Sequence, residues 1–393
     1  MRYLALDGLR GIAALAVAIF HLNLLHSAYS FPLVRNAYLF VDFFFVLSGF
    51  IIAYAYSKKL ADRSMVATFV VRRVGRLWPL HLSILVAFIG LEFLRWGYAV
   101  AQGQGAKVQL FDAVGPVPIA DLPAHLTLTN GLGFLSALNW NLPSWSISAE
   151  FWTYMVYACA VYIFPRYQAR TLLGLSIASM VALVALAPKG IGVTYDFGFL
   201  RCICGFTLGA LVHEATSRTA APDLKLLATA EIPVCFVACM FVVIADKSAL
   251  SFAAPLVFAT MVYVFSFEAG VMSRGLKHTW LQILGRLSYS IYMVHALVLS
   301  VIDLAAIVLQ QSVFGRDIRL TLPNGSKVIG NVPPIALDLA LVGYLAIVVG
   351  LSWLMYRFIE DPCRWWFHGK SLTLAKRIAG DAAVPARIAA AGA

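Results

Sequence analysis

The sequence predicts an all-α fold: a polytopic transmembrane helix bundle of about ten spans with both termini in the cytoplasm. Three observations carry that expectation. Of the 393 residues, 61% are hydrophobic and only 12% charged, against roughly a quarter charged in soluble domains. Mean hydropathy is +0.82. Ten apolar stretches approach the roughly 20 residues that cross a bilayer. This composition excludes a soluble enzyme, a disordered chain and a nucleic-acid-binding protein. The net charge of +11 therefore matters by its distribution rather than its sum.

The stretches lie near 8–27, 38–57, 78–96, 145–164, 171–187, 197–214, 227–245, 250–267, 283–309 and 334–357. An even number places both termini on one side. Nineteen of the 30 Lys and Arg then fall in segments on that side and eight on the other, which assigns the termini to the cytoplasm. The stretch 11–25 has the length of a signal segment, but Asp7 and Arg10 precede it and His21 interrupts it. Two outer loops, about 97–144 and 310–333, are long enough to expect function of them. The second contains Leu322-Pro323-Asn324-Gly325. The expected division is one transmembrane domain over 1–368 and a short, Ala-rich, basic tail over 369–393 on the inner membrane surface. Of the six cysteines, five sit in apolar stretches and read as packing residues; no metal-ligand set is expected.

Ionisable residues inside spans are costly and face protein or water. Arg10 and His21 are 11 residues apart, which puts them on one helix face about 16 Å apart. Gly11, Ala14 and Ala18 lie between them, forming either a polar-ended passage or a close-packed seam. The second span opens with Asp42, at a depth comparable to His21. An Asp there either orients the imidazole or forms a structural ion pair. The fourth span opens with Ser144-Trp145-Ser146 and brings in Glu150, a carboxylate among aromatics that helix capping does not explain. On the inner side, Arg72, Arg73 and Arg76 have spacings that let three guanidiniums converge. They serve either phosphate recognition or topology and anionic-lipid contact.

Together these segments resemble the integral-membrane acyltransferase-3 family, whose members acylate carbohydrate hydroxyls and some other acceptors. The resemblance rests on Arg10 and His21 in an Arg-x10-His pattern, Asp42 to Phe50, the Arg73–Arg76 pair, and Trp145, Ser146 and Glu150. Leu284 to His295 and Phe358 to Pro362 add two later segments. Val294 departs from the pattern, where the family often has Trp. The motifs run from about residue 3 to 365, and the chain is similar to the family's stand-alone form, without a fused soluble domain.

The resemblance implies a membrane-bound O-acyltransferase that takes an acyl group, by default acetyl, from cytoplasmic acyl-CoA. The acceptor is a carbohydrate or glycolipid hydroxyl reached from the outer side of a bacterial inner membrane. No permanently bound cofactor is expected; acyl-CoA is a co-substrate. Membrane lipids and the acceptor are the expected partners. In this reading Arg72, Arg73 and Arg76, with Arg10 deeper, bind the donor. His21 is the general base, Asp42 orients it, and Glu150 either does so instead or binds the acceptor hydroxyls. Trp145 and Trp152 stack on an acceptor ring, and Ser48, Ser146, Tyr292 and His295 shape the site. A small-molecule transporter is the alternative, but the usual inverted repeats are not apparent.

Overall fold

The computed structural model describes residues 2–105, 108–112, 115–219, 222–310, 317–322 and 327–379. The fold is nearly all-α. The chain runs through α1 (Leu4–Phe20), a single turn α2 (Pro32–Arg35), α3 (Phe40–Tyr56) and a long α4 (Arg63–Ala101). After the short α5 (Leu122–Leu126) come α6 (Ser144–Ile163), α7 (Gln168–Leu186), α8 (Gly198–Arg218) and α9 (Leu224–Ala245). The remainder is α10 (Ala254–Phe265), the short α11 (Val271–Leu276), α12 (Thr279–Leu309), α13 (Pro334–Met355) and α14 (Asp361–Ala379). A small antiparallel hairpin, β1 (Arg319–Thr321) with β2 (Lys327–Ile329), precedes α13. The segment Pro323 to Ser326, including Gly325, lies outside the described residues, as does the tail beyond Ala379.

Each apolar stretch of the sequence overlaps a helix, and six helical segments are long and apolar enough to cross a membrane. The helices α1, α6 and α8 fall outside that group, as does the 12-residue α10. The first has only 17 residues, and α6 and α8 carry Glu150 and Arg201 among their apolar side chains. These are helices of the interior. α3 has 67% of its most apolar window buried, whereas α7 and α9 have 22%. The apolar flanks of α7 and α9 thus face outward, as lipid-facing surfaces do.

Two boundaries differ from expectation; the first span, expected to end near 27, stops as a helix at Phe20, and the start of the third moves further. The third span was expected to start near 78, with Arg72, Arg73 and Arg76 on the loop before it. Helix α4 instead starts at Arg63, where Asp62 accepts a hydrogen bond from the Ser64 amide at 2.8 Å. Arginines lower the hydropathy of a window without breaking a helix, because Arg is itself a good helix former. The three arginines therefore ride on the helix. Beyond it, α13 runs through a π-bulge at Tyr356–Glu360 into α14. Ser371 and Ala375 on α14 are buried, and Arg72 Nε donates to Ser371 Oγ at 3.0 Å. The described part of the expected tail therefore packs on α4.

α3 and α8 touch backbone to backbone. A Cβ at Gly49 would collide with the Phe206 carbonyl, and one at Gly209 with the Val46 carbonyl. Small residues at such crossings are what let helices approach this closely. Gly49→Ala is expected to destabilise the protein by about 1–3 kcal/mol through overpacking. A lower thermal midpoint in detergent would register this, and an unchanged midpoint would contradict the close crossing.

Candidate functional site

Arg10 and His21, at the two ends of α1, both meet α12. The Arg10 guanidinium donates to the Gly285 carbonyl of α12 from Nε at 3.2 Å and Nη2 at 2.7 Å, and Nη2 lies 3.1 Å from Asp7 Oδ1. His21 sits at the C-terminal cap of α1 with Nδ1 2.9 Å from the Val17 carbonyl. A carbonyl only accepts, so in the neutral ring the proton is on Nδ1 and Nε2 carries the lone pair. His295 of α12 is its neighbour, with ring centres 5.0 Å apart. His295 Nδ1 likewise faces a carbonyl, that of Ile291, at 3.2 Å. Its Nε2 is buried and has no hydrogen-bond partner among the described residues.

The stripe between Arg10 and His21 is a packing seam. Gly11, Ala14 and Ala18 are buried; a Cβ at Gly11 would press on Leu284 and Gly285, and Tyr344 of α13 donates to the Ala18 carbonyl at 3.0 Å. The passage lies elsewhere. A cavity of about 640 Å³ between α1, α3, α4, α6 and α12 starts among Arg2, Arg286 and Arg364 at the end of the bundle that carries the N-terminus. It ends against Phe44, Ser146 and Tyr292.

Asp42 is not the partner of His21. Both its oxygens are taken by Arg201 of α8, Oδ1 from Nε at 2.9 Å and Oδ2 from Nη2 at 2.7 Å. Arg201 also donates to the carbonyls of Val193 and Tyr38, each at 3.1 Å. Asp42 is 0% and Arg201 1% exposed, so the pair is sealed. Asp42 points across the bundle to α8 because a buried carboxylate takes the nearest unpaired cation.

Glu150 also lies apart from His21. It accepts from Ser48 Oγ and Tyr154 Oη, each at 2.5 Å. Ser48 is six residues along α3 from Asp42, about 9 Å nearer the N-terminal face. Glu150 thus belongs to the cavity wall. There it shares a layer with Arg73, Arg76 and Tyr289. Arg76 Nη1 reaches Glu360, a fully buried carboxylate in the π-bulge, at 2.5 Å, and Glu360 accepts from Ser290 at 2.7 Å. Arg73 lies among aromatic faces, its guanidinium carbon 5.6 Å from the Phe69 and Tyr154 ring centres. Its Nε is buried and lacks a hydrogen-bond partner among the described residues.

The expected order of the arginines is reversed. Arg10 lies level with Gly285, and Arg76 level with Tyr289, four residues further along α12 and about 6 Å deeper. Arg72 is outside the cavity lining and holds α14. The inversion follows from α4 beginning about four turns earlier than hydropathy suggests.

Above this layer the cavity has a ceiling. Tyr292 Oη accepts from Ser146 Oγ at 2.8 Å, and its ring lies 6.0 Å from Phe44 below and 5.8 Å from His295 beyond. His21 and His295 are not among the lining residues, so Tyr292 separates the arginine-lined cavity from the imidazole pair. The two tryptophans do not present a stacking face. Trp145 is buried beside Arg201, 5.7 Å from its guanidinium carbon. Trp152 donates its indole N–H to the Leu128 carbonyl at 2.8 Å.

Sequence reasoning missed Arg201 as the partner of Asp42, Glu360 as the partner of Arg76, and Tyr154 beside Glu150. The first two carried a signal. An Arg inside one span and an Asp inside another call for each other, and a Glu just after a span complements arginines of unknown partner.

A family model described as an acyltransferase domain matches residues 3–357. "Protein 2 in picA locus" of Rhizobium radiobacter is 33% identical over 199 residues, which is 47% of this chain and 95% of that protein. Two Staphylococcus aureus proteins, from strains COL and MSSA476, carry names that provisionally make them O-acetyltransferases. Each is 37% identical over 89 residues, 22% of this chain and 14% of its own length. The chain thus spans nearly all of the first relative and a small part of the other two. No solved structure matches.

Proposed function

Because the chain belongs to the acyltransferase-3 family and is an acyltransferase, we propose that it moves an acyl group, by default acetyl, from cytoplasmic acyl-CoA to a carbohydrate or glycolipid hydroxyl. The acceptor stands at the opposite face of a bacterial cytoplasmic membrane. In this reading the bundle crosses ten times and keeps both termini in the cytoplasm. The cavity then opens to the cytoplasm, and the imidazole pair lies towards the acceptor side. The observation that carries the proposal is the alignment of an arginine-lined cavity with a histidine whose Nε2 carries a lone pair, one tyrosine apart.

The donor enters past Arg10, which meets the diphosphate, and its pantetheine arm rises past Arg73 and Arg76. Arg73, with its unpartnered Nε, is suited to an acceptor atom on that arm. Tyr292 and Ser146 part to admit the thioester. The acceptor hydroxyl gives its proton to His21 Nε2 as its oxygen attacks the thioester carbonyl carbon. The C–S bond breaks, the ester forms, and the CoA thiolate takes up the proton held by His21. His295 stands against His21 and steadies its ring. Glu150, with Ser48 and Tyr154, lines the arm's path and has no part in the proton transfer.

The test of the activity is transfer of radiolabel from acetyl-CoA into alkali-labile ester on isolated cell-envelope glycans by the purified protein. Mass spectrometry of those glycans with and without the protein identifies the acceptor. Net uptake of a solute with no ester formed would favour a transporter. Arg73→Lys keeps the charge but loses the planar fork; it is expected to raise the apparent acyl-CoA KM several-fold with a smaller change in kcat. An unchanged KM would remove Arg73 from the donor path. For orientation, a variant lacking the native cysteines is expected to accept impermeant thiol reagent from outside at Leu320→Cys and not at Gly369→Cys. The reverse pattern would put the donor cavity on the wrong side of the membrane.

A further inference from the structure

The cavity entrance contains groups that neither the diphosphate nor the arm accounts for. Arg286 follows Gly285 on α12; it is exposed, lines the entrance, and makes no hydrogen bond or ion pair among the described residues. Arg364, near the start of α14, lines the same entrance and is held by Asp361 through one nitrogen only, Nη2 at 2.5 Å. Its other guanidinium donors are unused among the described residues. Tyr3, Tyr54 and Tyr356 line the same cavity; Tyr356 Oη lies 3.3 Å from Asp361 Oδ1, and Tyr3 and Tyr54 meet edge to face at 5.3 Å. Six arginines and two carboxylates line the whole cavity, an excess of four positive charges on its wall.

An entrance with one guanidinium unpaired among the described residues, a second with donors to spare, and aromatic rings on the same wall suits a purine carrying a phosphate monoester. Guanidinium forks bind phosphate oxygens bidentately, and tyrosine faces stack on bases. A monoester adds about −1.5 to −2 charges at neutral pH, and a diphosphate adds about two more, which matches the excess on the wall. We propose that the rim formed by Arg286, Arg364 and the three tyrosines is a subsite for the 3′-phosphoadenosine end of the donor. Arg286 and Arg364 take the 3′-phosphate. This rests on the acyl-CoA reading above. It assigns donor recognition to α12 and α14 rather than to the Arg72–Arg76 run alone. A phosphate on an anionic lipid headgroup shares this chemistry, since the rim stands at the expected membrane surface.

The experiment compares binding of CoA and 3′-dephospho-CoA to the purified full chain in zwitterionic nanodiscs. Charge-assisted contacts to a phosphate predict that the wild type prefers CoA by about 10- to 100-fold. The double variant Arg286→Gln, Arg364→Gln is expected to bind the two ligands alike, and Arg286→Lys, Arg364→Lys to keep part of the preference. Arg286 is exposed and Arg364 is partly exposed in a surface ion pair worth little, so thermal midpoints should stay close to wild type and confirm that folding is intact. Equal binding of the two ligands by wild type, or a preference that survives in the Gln variant, would overturn the subsite. Binding of neither ligand by wild type would overturn the acyl-CoA reading as well, and so is distinguishable. A second arm adds phosphatidylglycerol to the nanodiscs. Lipid retention lost in the Gln variant while the CoA preference persists would assign the rim to a headgroup instead.

Discussion

His21→Ala is expected to lower acyl transfer by about 10²–10⁴-fold, the usual loss for a general base, with donor affinity close to wild type. The affinity should persist because His21 lies beyond the Tyr292 ceiling and outside the cavity lining. The ring is replaceable without breaking the helix, since its only hydrogen bond in the described structure is to the Val17 carbonyl one turn back. Initial rates against acyl-CoA and isothermal binding of CoA separate the two effects. Wild-type turnover in His21→Ala would remove the base from the mechanism. Acyl label trapped on His21 in the absence of acceptor would replace direct transfer with two half-reactions.

The second large effect concerns folding. Arg201→Met leaves Asp42 buried and unpaired, which costs about 3–5 kcal/mol. Asp42→Leu has the mirror consequence for Arg201. The combined variant, with both charges replaced by apolar groups, is expected to recover most of the stability, because desolvation of the pair is then no longer incurred. Folded yield after solubilisation and thermal midpoints give the cycle. Asp42→Leu that folds like wild type yet has lost turnover would return Asp42 to the chemistry of His21.

That reassignment marks where sequence reading worked and where it stopped. Helical rise is regular, so counting residues yields expected separations and depths along a helix, such as those of Arg10, His21 and Asp42. Counting along a helix does not show which neighbour a side chain faces, and Asp42 faces α8. Positions of helices were legible from hydropathy, but the start of α4 was not, since guanidiniums inside a protein cavity depress a window as solvent-facing ones do. This error displaced Arg73 and Arg76 from the cavity wall to an imagined loop. Glu150 was correctly singled out as unexplained by capping; its partners, Ser48 and Tyr154, come from two different helices. Tyr292 was placed near the site by motif, while its position as a ceiling depends on Ser146, 146 residues away.

The ceiling has a further consequence for the cell. A passage open from one face to the other would conduct protons and ions down the membrane potential, at a driving force of about 2.3 kcal/mol per charge for each 100 mV. With the Ser146–Tyr292 contact closed, the arginine-lined space stops at Tyr292, and the imidazoles stand beyond it. An enzyme that passes an acyl group between compartments must exchange that group without ever becoming a channel. In the proposed transfer, a single tyrosine that yields to the thioester, and closes when the thiol withdraws, is what would keep the bilayer's insulation intact through each turnover.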